Sequence, residues 1–142
     1  MDEAALIAAI QGSYDDVTVQ TIEGGSFLFV GADRMLPFVT VVWSDAFDSA
    51  SDLSRPGVCR LNIGVSKATF TGMFAPGDAE PDYTALDTLL PHPVYAAQSW
   101  VCVLNPSEAT FESLRPLLAE AHQRAAERDA RIAARGDPST SD

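Results

Sequence analysis

Five short strand-like segments, separated by Gly, Pro and Asp turns, precede the one long amphipathic stretch near the end of the chain, and this order limits the folds open to it. Residues 17–22 alternate with the period of two expected of a half-buried strand. Gly24-Gly25 predicts a hairpin turn into a second strand at 26–30. Gly31-Ala32-Asp33 breaks that strand, and the run Phe-Val-Thr-Val-Val-Trp at 38–43 has the β-branched, aromatic character of a central strand. Residues 58–65 and 100–104 supply two more.

Between and after these lie helical patterns. Asp2 caps a first helix over 2–11, with Leu6, Ile7 and Ile10 on one face and Gly12 as its stop. Ser66 caps a second over 66–74, which groups Phe70, Met73 and Phe74. Residues 83–90 read as a short helix with Leu86, Leu89 and Leu90 inward, ended by Pro91. Asn105-Pro106-Ser107-Glu108 has the form of a capped helix start. Pro116 predicts a break, because an interior proline removes a backbone bond, so the main helix is expected from about Ser113. Phe111, Leu114, Leu118, Ala121 and Ala125 form its apolar stripe. The reading is a two-layer α+β domain over 1–135, with a mostly antiparallel sheet of four to five strands and helices packed on one face. Residues 136–142 are expected to be a disordered polar tail. The sheet face without helices is left for a ligand or a second subunit.

Charge narrows the partners. Nine basic residues stand against twenty acidic ones, for a net charge of −11. Five of the arginines (Arg115, Arg124, Arg128, Arg131, Arg135) belong to the last helical region, so the rest is more acidic still. Affinity for nucleic acid comes largely from basic side chains on phosphates, so no nucleic-acid or anionic-membrane partner is expected. Apolar runs fall far short of the roughly 18 residues that cross a bilayer. Met1-Asp2-Glu3 lacks the basic start of a secretory signal, so a cytoplasmic location is expected. Cys59 and Cys102, each in an apolar segment, read as reduced, buried thiols. Cysteine and histidine spacings fit no metal motif, and Asp45, Asp48 and Asp52 lack the glycine and glutamate of a calcium loop, so 44–56 reads as solvated loop. Phosphate-loop, dinucleotide, serine-hydrolase and zincin patterns are absent from the sequence, and no cofactor is expected.

Candidate chemistry gathers at 92–100. Pro91 and Pro93 bracket His92 and stiffen the backbone around it, with Tyr95, Gln98 and Trp100 just beyond. His92 with Tyr95 is the best acid–base pair in the chain, since imidazole titrates near neutrality and a phenol can donate to an oxyanion. The structural alternative is a buried His92 whose ring nitrogens cap backbone groups. Tyr95, Gln98 and Trp100 can line the same pocket or simply pack an edge strand. Arg60 and Asn62 share the polar face of the strand at 58–65, where Arg60 is either solvent-exposed, paired with an acid, or an anion clamp for a carboxylate or phosphate ligand. His122 reads as a boundary residue on the last helix.

Residues 38–43, 50–65 and 89–105, running into Ala119-Glu120-Ala121-His122, resemble the bacterial domain-of-unknown-function family 6194, with the His-Pro-Val-Tyr block at 92–95 a fairly specific part. The chain is more distantly similar to the YjbR (MmcQ-like) group, which implies a small α+β fold with an antiparallel sheet. Some members of that group are described as DNA-binding, an expectation from which this acidic chain departs. Two functional classes follow from the residues. One is a small-molecule binder, or a cofactor-independent enzyme using His92 as acid or base, with a pocket of His92, Tyr95, Gln98, Trp100, Arg60 and Asn62. The other is a non-catalytic interaction or homodimerisation module using the exposed sheet face. Convergence of these side chains in one concavity favours the first, and dispersion over a flat face the second.

Overall fold

A computed structural model describes residues 1–75, 77 and 79–136. Six strands form one antiparallel sheet in the order β1-β2-β3-β4-β6-β5. They are β1 (Val17–Ile22), β2 (Gly25–Val30), β3 (Val39–Val42), β4 (Arg60–Gly64), β5 (Leu90–Pro91) and β6 (Trp100–Leu104). Helices α1 (Glu3–Ser13), α2 (Lys67–Met73) and α3 (Glu108–Gly136) accompany it. This is the expected α+β architecture, with one strand more than the four to five read from the sequence.

Strand alternation decides which side chains meet the helices. Leu28 and Val30, Val39 and Val41, Leu61 and Ile63, and Val101 and Val103 project to one face. There they pack against Leu6 and Ile10 of α1 and Phe111, Leu114, Leu118, Ala121 and Ala125 of α3. The opposite face carries a row of paired residues across four strands: Phe27 against Thr40, Thr40 against Asn62, and Asn62 against Cys102. Leu90 of β5 continues the row from Cys102.

Local chemistry sets the helix ends. The Asp2 carboxylate accepts from the Ala5 N–H and starts α1, which runs past Gly12 to Ser13. Ser66 caps α2 by accepting from the Thr69 N–H, and Glu120 of α3 accepts from both the Ser66 N–H and the Thr69 hydroxyl. Three expectations are corrected. The helix read at 83–90 is absent: Leu86 makes an isolated bridge to Leu104, Leu90–Pro91 forms an edge strand, and Leu86 is exposed. Proline lacks the donor that helix and sheet interiors need, and a sheet edge tolerates it. Second, α3 is continuous through Pro116 from Glu108; packing of its apolar stripe on the sheet offsets the one lost bond. Third, Ser107 caps α3 through the Thr110 N–H, whereas Asn105 faces back to brace Cys59 N–H and Gly57 C=O. Of the tail read at 136–142, Gly136 is the last residue of α3, and 137–142, with part of the turn at 77–82, lie outside the described residues.

The far end of α3 grips the turn after β2. Asp129 Oδ1 accepts from the Ala32 and Asp33 N–H groups, both at 3.1 Å. Arg128 reaches Asp33 Oδ2 and the Leu36 carbonyl. Gly31 turns this corner at φ +66°, where a Cβ would run into the Asp129 carboxylate. Gly31→Ala is therefore expected to destabilise the fold by about 1–3 kcal/mol. Gly12→Ala, in a helix with open space around it, should stabilise by about 0.5–1 kcal/mol. Urea unfolding midpoints of the two variants should move in opposite directions.

Candidate functional site

The sheet face away from the helices is hollow. A cavity of about 420 Å³ lies over it, walled by Phe27, Phe47, Tyr95 and Trp100 and by Leu36, Pro37, Val42 and Val94. Asp48, Arg60, Asn62, Thr40, His92 and Gln98 supply its polar lining. All six residues singled out from the sequence (Arg60, Asn62, His92, Tyr95, Gln98 and Trp100) line this one concavity. Leu36, Phe47, Val94 and Tyr95 are exposed and form an apolar mouth.

Arg60 stands at mid-strand and is 1% exposed. Its Nη1 and Nη2 donate to the two oxygens of Asp48 at 3.0 and 2.7 Å, a bidentate pair. Nη1 also donates to Ser51 Oγ and Nε to Asn62 Oδ1, both at 2.9 Å. Asn62 Nδ2 in turn donates to Thr40 Oγ1 at 2.9 Å. Hydrogen bonds from Arg60 hold the Asp48 carboxyl below its ordinary range. Of the three sequence alternatives for Arg60, the acid-paired one holds: burial excludes the solvent-exposed one, and the role of free anion clamp is corrected because its charge is already met by Asp48. Residues 44–56, read as solvated loop, fold down to bring Asp48 and Ser51 under the sheet and Phe47 edge-on to Phe27.

His92 is 3% exposed. Its Nδ1 accepts from the N–H groups of Val94 and Tyr95, each at 3.0 Å, in the manner of a helix cap, with Pro93 at the first position of the turn. The turn continues through a 3₁₀ segment, Ala96–Gln98, and a left-handed Ser99 into β6. Burial, and then the nearby Arg60 charge, push the His92 pKa down to about 4. Two donors on Nδ1 claim its lone pair, so the neutral ring carries its proton on Nε2. No partner for Nε2 exists among the described residues, yet no buried polar side-chain atom is unpartnered; Nε2–H is therefore accessible, on a residue that lines the cavity. This corrects the acid–base role: the nitrogen that reaches the cavity has no lone pair to take a proton, and His92 is a structural cap that presents one donor.

Tyr95 lies at the mouth with its ring 5.1 Å from the His92 ring. Gln98 is exposed beside it. The Trp100 indole lies over Gly64, whose missing Cβ leaves the space, since a Cβ there would come within 3.0 Å of the ring. Thr40, Asp48, Ser51, Phe27 and Phe47 were missed as site residues. The signal for Asp48 was present, because a buried Arg60 must have a carboxylate near it. Both thiols are inert: burial pushes Cys59 up to about 11 and Cys102 up to about 12. Among the described residues, no group of three His, Cys, Asp or Glu side chains is placed to hold a metal ion, and no helix is long and apolar enough to cross a membrane.

Two outcomes are expected. Asp48→Ala strands the buried guanidinium and should destabilise by about 3–5 kcal/mol in chemical unfolding. For pH, the unfolded histidine binds its proton near 6.5 and the folded one only near 4. Stability should therefore fall as pH drops from 6.5 to 4, by about 3 kcal/mol from this residue. Asn at position 92 retains an acceptor for the two N–H groups and does not titrate. His92→Asn should flatten that part of the pH profile, and an unchanged slope would refute the assignment.

No curated protein and no solved structure matches the chain. A family model does, over residues 1–134, and so covers every element of the sheet and all the residues of the cavity. The chain belongs to the family of unknown function DUF6194.

Proposed function

We propose that this protein binds a small, mainly apolar molecule in the cavity over the outer face of the sheet. The observation that carries the reading is the concavity itself: four aromatic side chains from β2, the 44–56 loop, the 92–99 turn and β6 surround a polar end built on a hydrogen-bond network that starts at Arg60. Ligand sites are typically apolar hollows of about 300–1,000 Å³ with a few fixed polar groups, and this cavity has that form. The flat apolar surface that would favour an interaction module is not what these side chains make. The reading is of a binder rather than a catalyst, because His92 offers a proton donor without a base, and both thiols are held protonated. The net charge of −11 also favours a small molecule over the DNA implied by the distant YjbR resemblance.

A second cleft, of about 380 Å³ between Trp43 and the 53–58 turn, is a weaker candidate. Its cation, Arg55, is held on the carbonyls of Ser51, Asp52 and Thr84. The two sites are separated by titrating ¹⁵N-labelled protein with indole, 2-naphthol and cyclohexanol. Saturable shifts are expected at the amides of Thr40, Val94 and Gln98, with the aromatic probes the tighter binders and with a rise in melting temperature that follows their concentration. Shifts confined to Ser54, Gly57 and Val58, or none, would overturn the proposal.

A further inference from the structure

The polar end of the cavity has a direction, and it follows from one residue that can only donate. Arginine has five N–H donors and no acceptor. Arg60 Nε therefore requires the oxygen of the Asn62 amide to face it, at 2.9 Å. That orientation turns Asn62 Nδ2 toward Thr40, whose oxygen accepts at 2.9 Å. The Thr40 hydroxyl proton is then left over; it has no acceptor among the described residues, and Thr40 lines the cavity. Both oxygens of the one carboxylate at this end are meanwhile engaged. Asp48 Oδ1 receives Arg60 Nη1 and the Ala50 N–H, and Oδ2 receives Nη2.

An independent part of the chain reaches the same polarity. The Val94 and Tyr95 amides occupy His92 Nδ1 and leave Nε2–H as the free donor of a ring that lines the cavity. Trp100 adds an indole N–H, a group that only donates, with no acceptor among the described residues. Charge is balanced at this end, since the Arg60–Asp48 pair is bidentate and His92 carries none. A ligand carboxylate would find donors but no unpaired cation, and burying an uncompensated charge is unfavourable. A ligand ammonium at this end would face the Thr40, His92 and Trp100 donors, with acceptors only on the exposed Tyr95 and Gln98 at the mouth. Aromatic walls from Phe27, Phe47, Tyr95 and Trp100 suit a flat ring system.

Resting on the reading of this cavity as a ligand site, we infer that its ligand is an uncharged, planar aromatic molecule bearing a hydrogen-bond acceptor, a carbonyl oxygen or pyridine-type nitrogen, which Thr40 O–H and His92 Nε2–H receive. A site lined by unpartnered donors discriminates against an analogue that lacks the acceptor, because the donors are then desolvated without a partner.

The test is an NMR titration with four naphthyl probes of matched shape: 2-acetylnaphthalene, its alkene isostere 2-isopropenylnaphthalene, 2-naphthoate and 2-naphthylmethylammonium. The ketone is expected to bind about tenfold or more tightly than the alkene, with both ions no better than the alkene. Thr40→Val and His92→Asn should each remove most of the ketone's advantage and leave alkene affinity within about twofold. His92→Asn keeps an acceptor for the Val94 and Tyr95 amides, and Thr40→Val keeps the side-chain shape, so the alkene also reports whether the cavity is intact. Equal binding of ketone and alkene would overturn the inference while leaving the cavity a ligand site. Tightest binding by the naphthoate or the ammonium would overturn its neutrality. Failure of all four probes to perturb the cavity amides would remove the ligand-site reading, and the inference with it.

Discussion

A guanidinium under an apolar hollow must find its counter-charge inside the protein, and at Arg60 that requirement shapes everything on the outer face of the sheet. Asp48 meets it with both oxygens, Ser51 takes a further donor, and Asn62 takes Nε. A buried ion pair of this kind adds little net stability over a well-packed hydrophobic replacement. What it does is fix geometry. It pins the 44–56 loop to β4, so that Phe47, next to Asp48, stands at the mouth against Phe27. It also sets the sense of the hydrogen bonds that run through Asn62 to Thr40. Removal of either partner strands the other, which is why this pair is more sensitive to truncation than its modest net contribution implies.

The helical layer reaches the cavity only through loops. Asp129 and Arg128, near the end of α3, hold the segment that carries Leu36 and Pro37 to the rim. The 92–99 turn is held from within, by His92 capping its own amides and by the left-handed Ser99 that returns the chain to β6. The core between sheet and helices therefore supplies the platform, and three local devices place the walls. Mutations in the core should act on stability alone, whereas changes at Asp48, Asp129 or His92 should alter the shape of the mouth as well as stability.

Much of the fold was legible because its signals are local. Alternation located β1 and a continuous apolar run located β6, each to the residue, and the stripe from Phe111 to Ala125 is the buried face of α3. Legibility failed where tertiary context outweighed local preference. Leucines at 86, 89 and 90 have helical spacing, but the edge of β6 offers Leu90 and Pro91 a pairing partner. Pro116 has a local preference for a break that burial of the flanking Leu114 and Leu118 overrides. For the site, alternation placed Arg60 and Asn62 on the polar face, and prolines marked the His92 turn. The acidic loop concealed Asp48, since proximity across twelve residues to a buried arginine has no periodic signature.

The cap and the donor at His92 are one property seen from two sides. A solvent-exposed imidazole near neutral pH is a mixture of cation and two neutral tautomers, and a cavity lined by it would change polarity with small changes in acidity. Here the Val94 and Tyr95 amides choose the tautomer, and burial pushes protonation down to about 4. Nε2–H is thus presented in a single state across the neutral range. Thr40 reaches the same condition by another route, its hydroxyl oriented through Asn62 by an arginine that cannot accept. Two donors, set by unrelated parts of the chain and insensitive to neutral pH, give the hollow a fixed polarity that does not depend on the acidic surface around it.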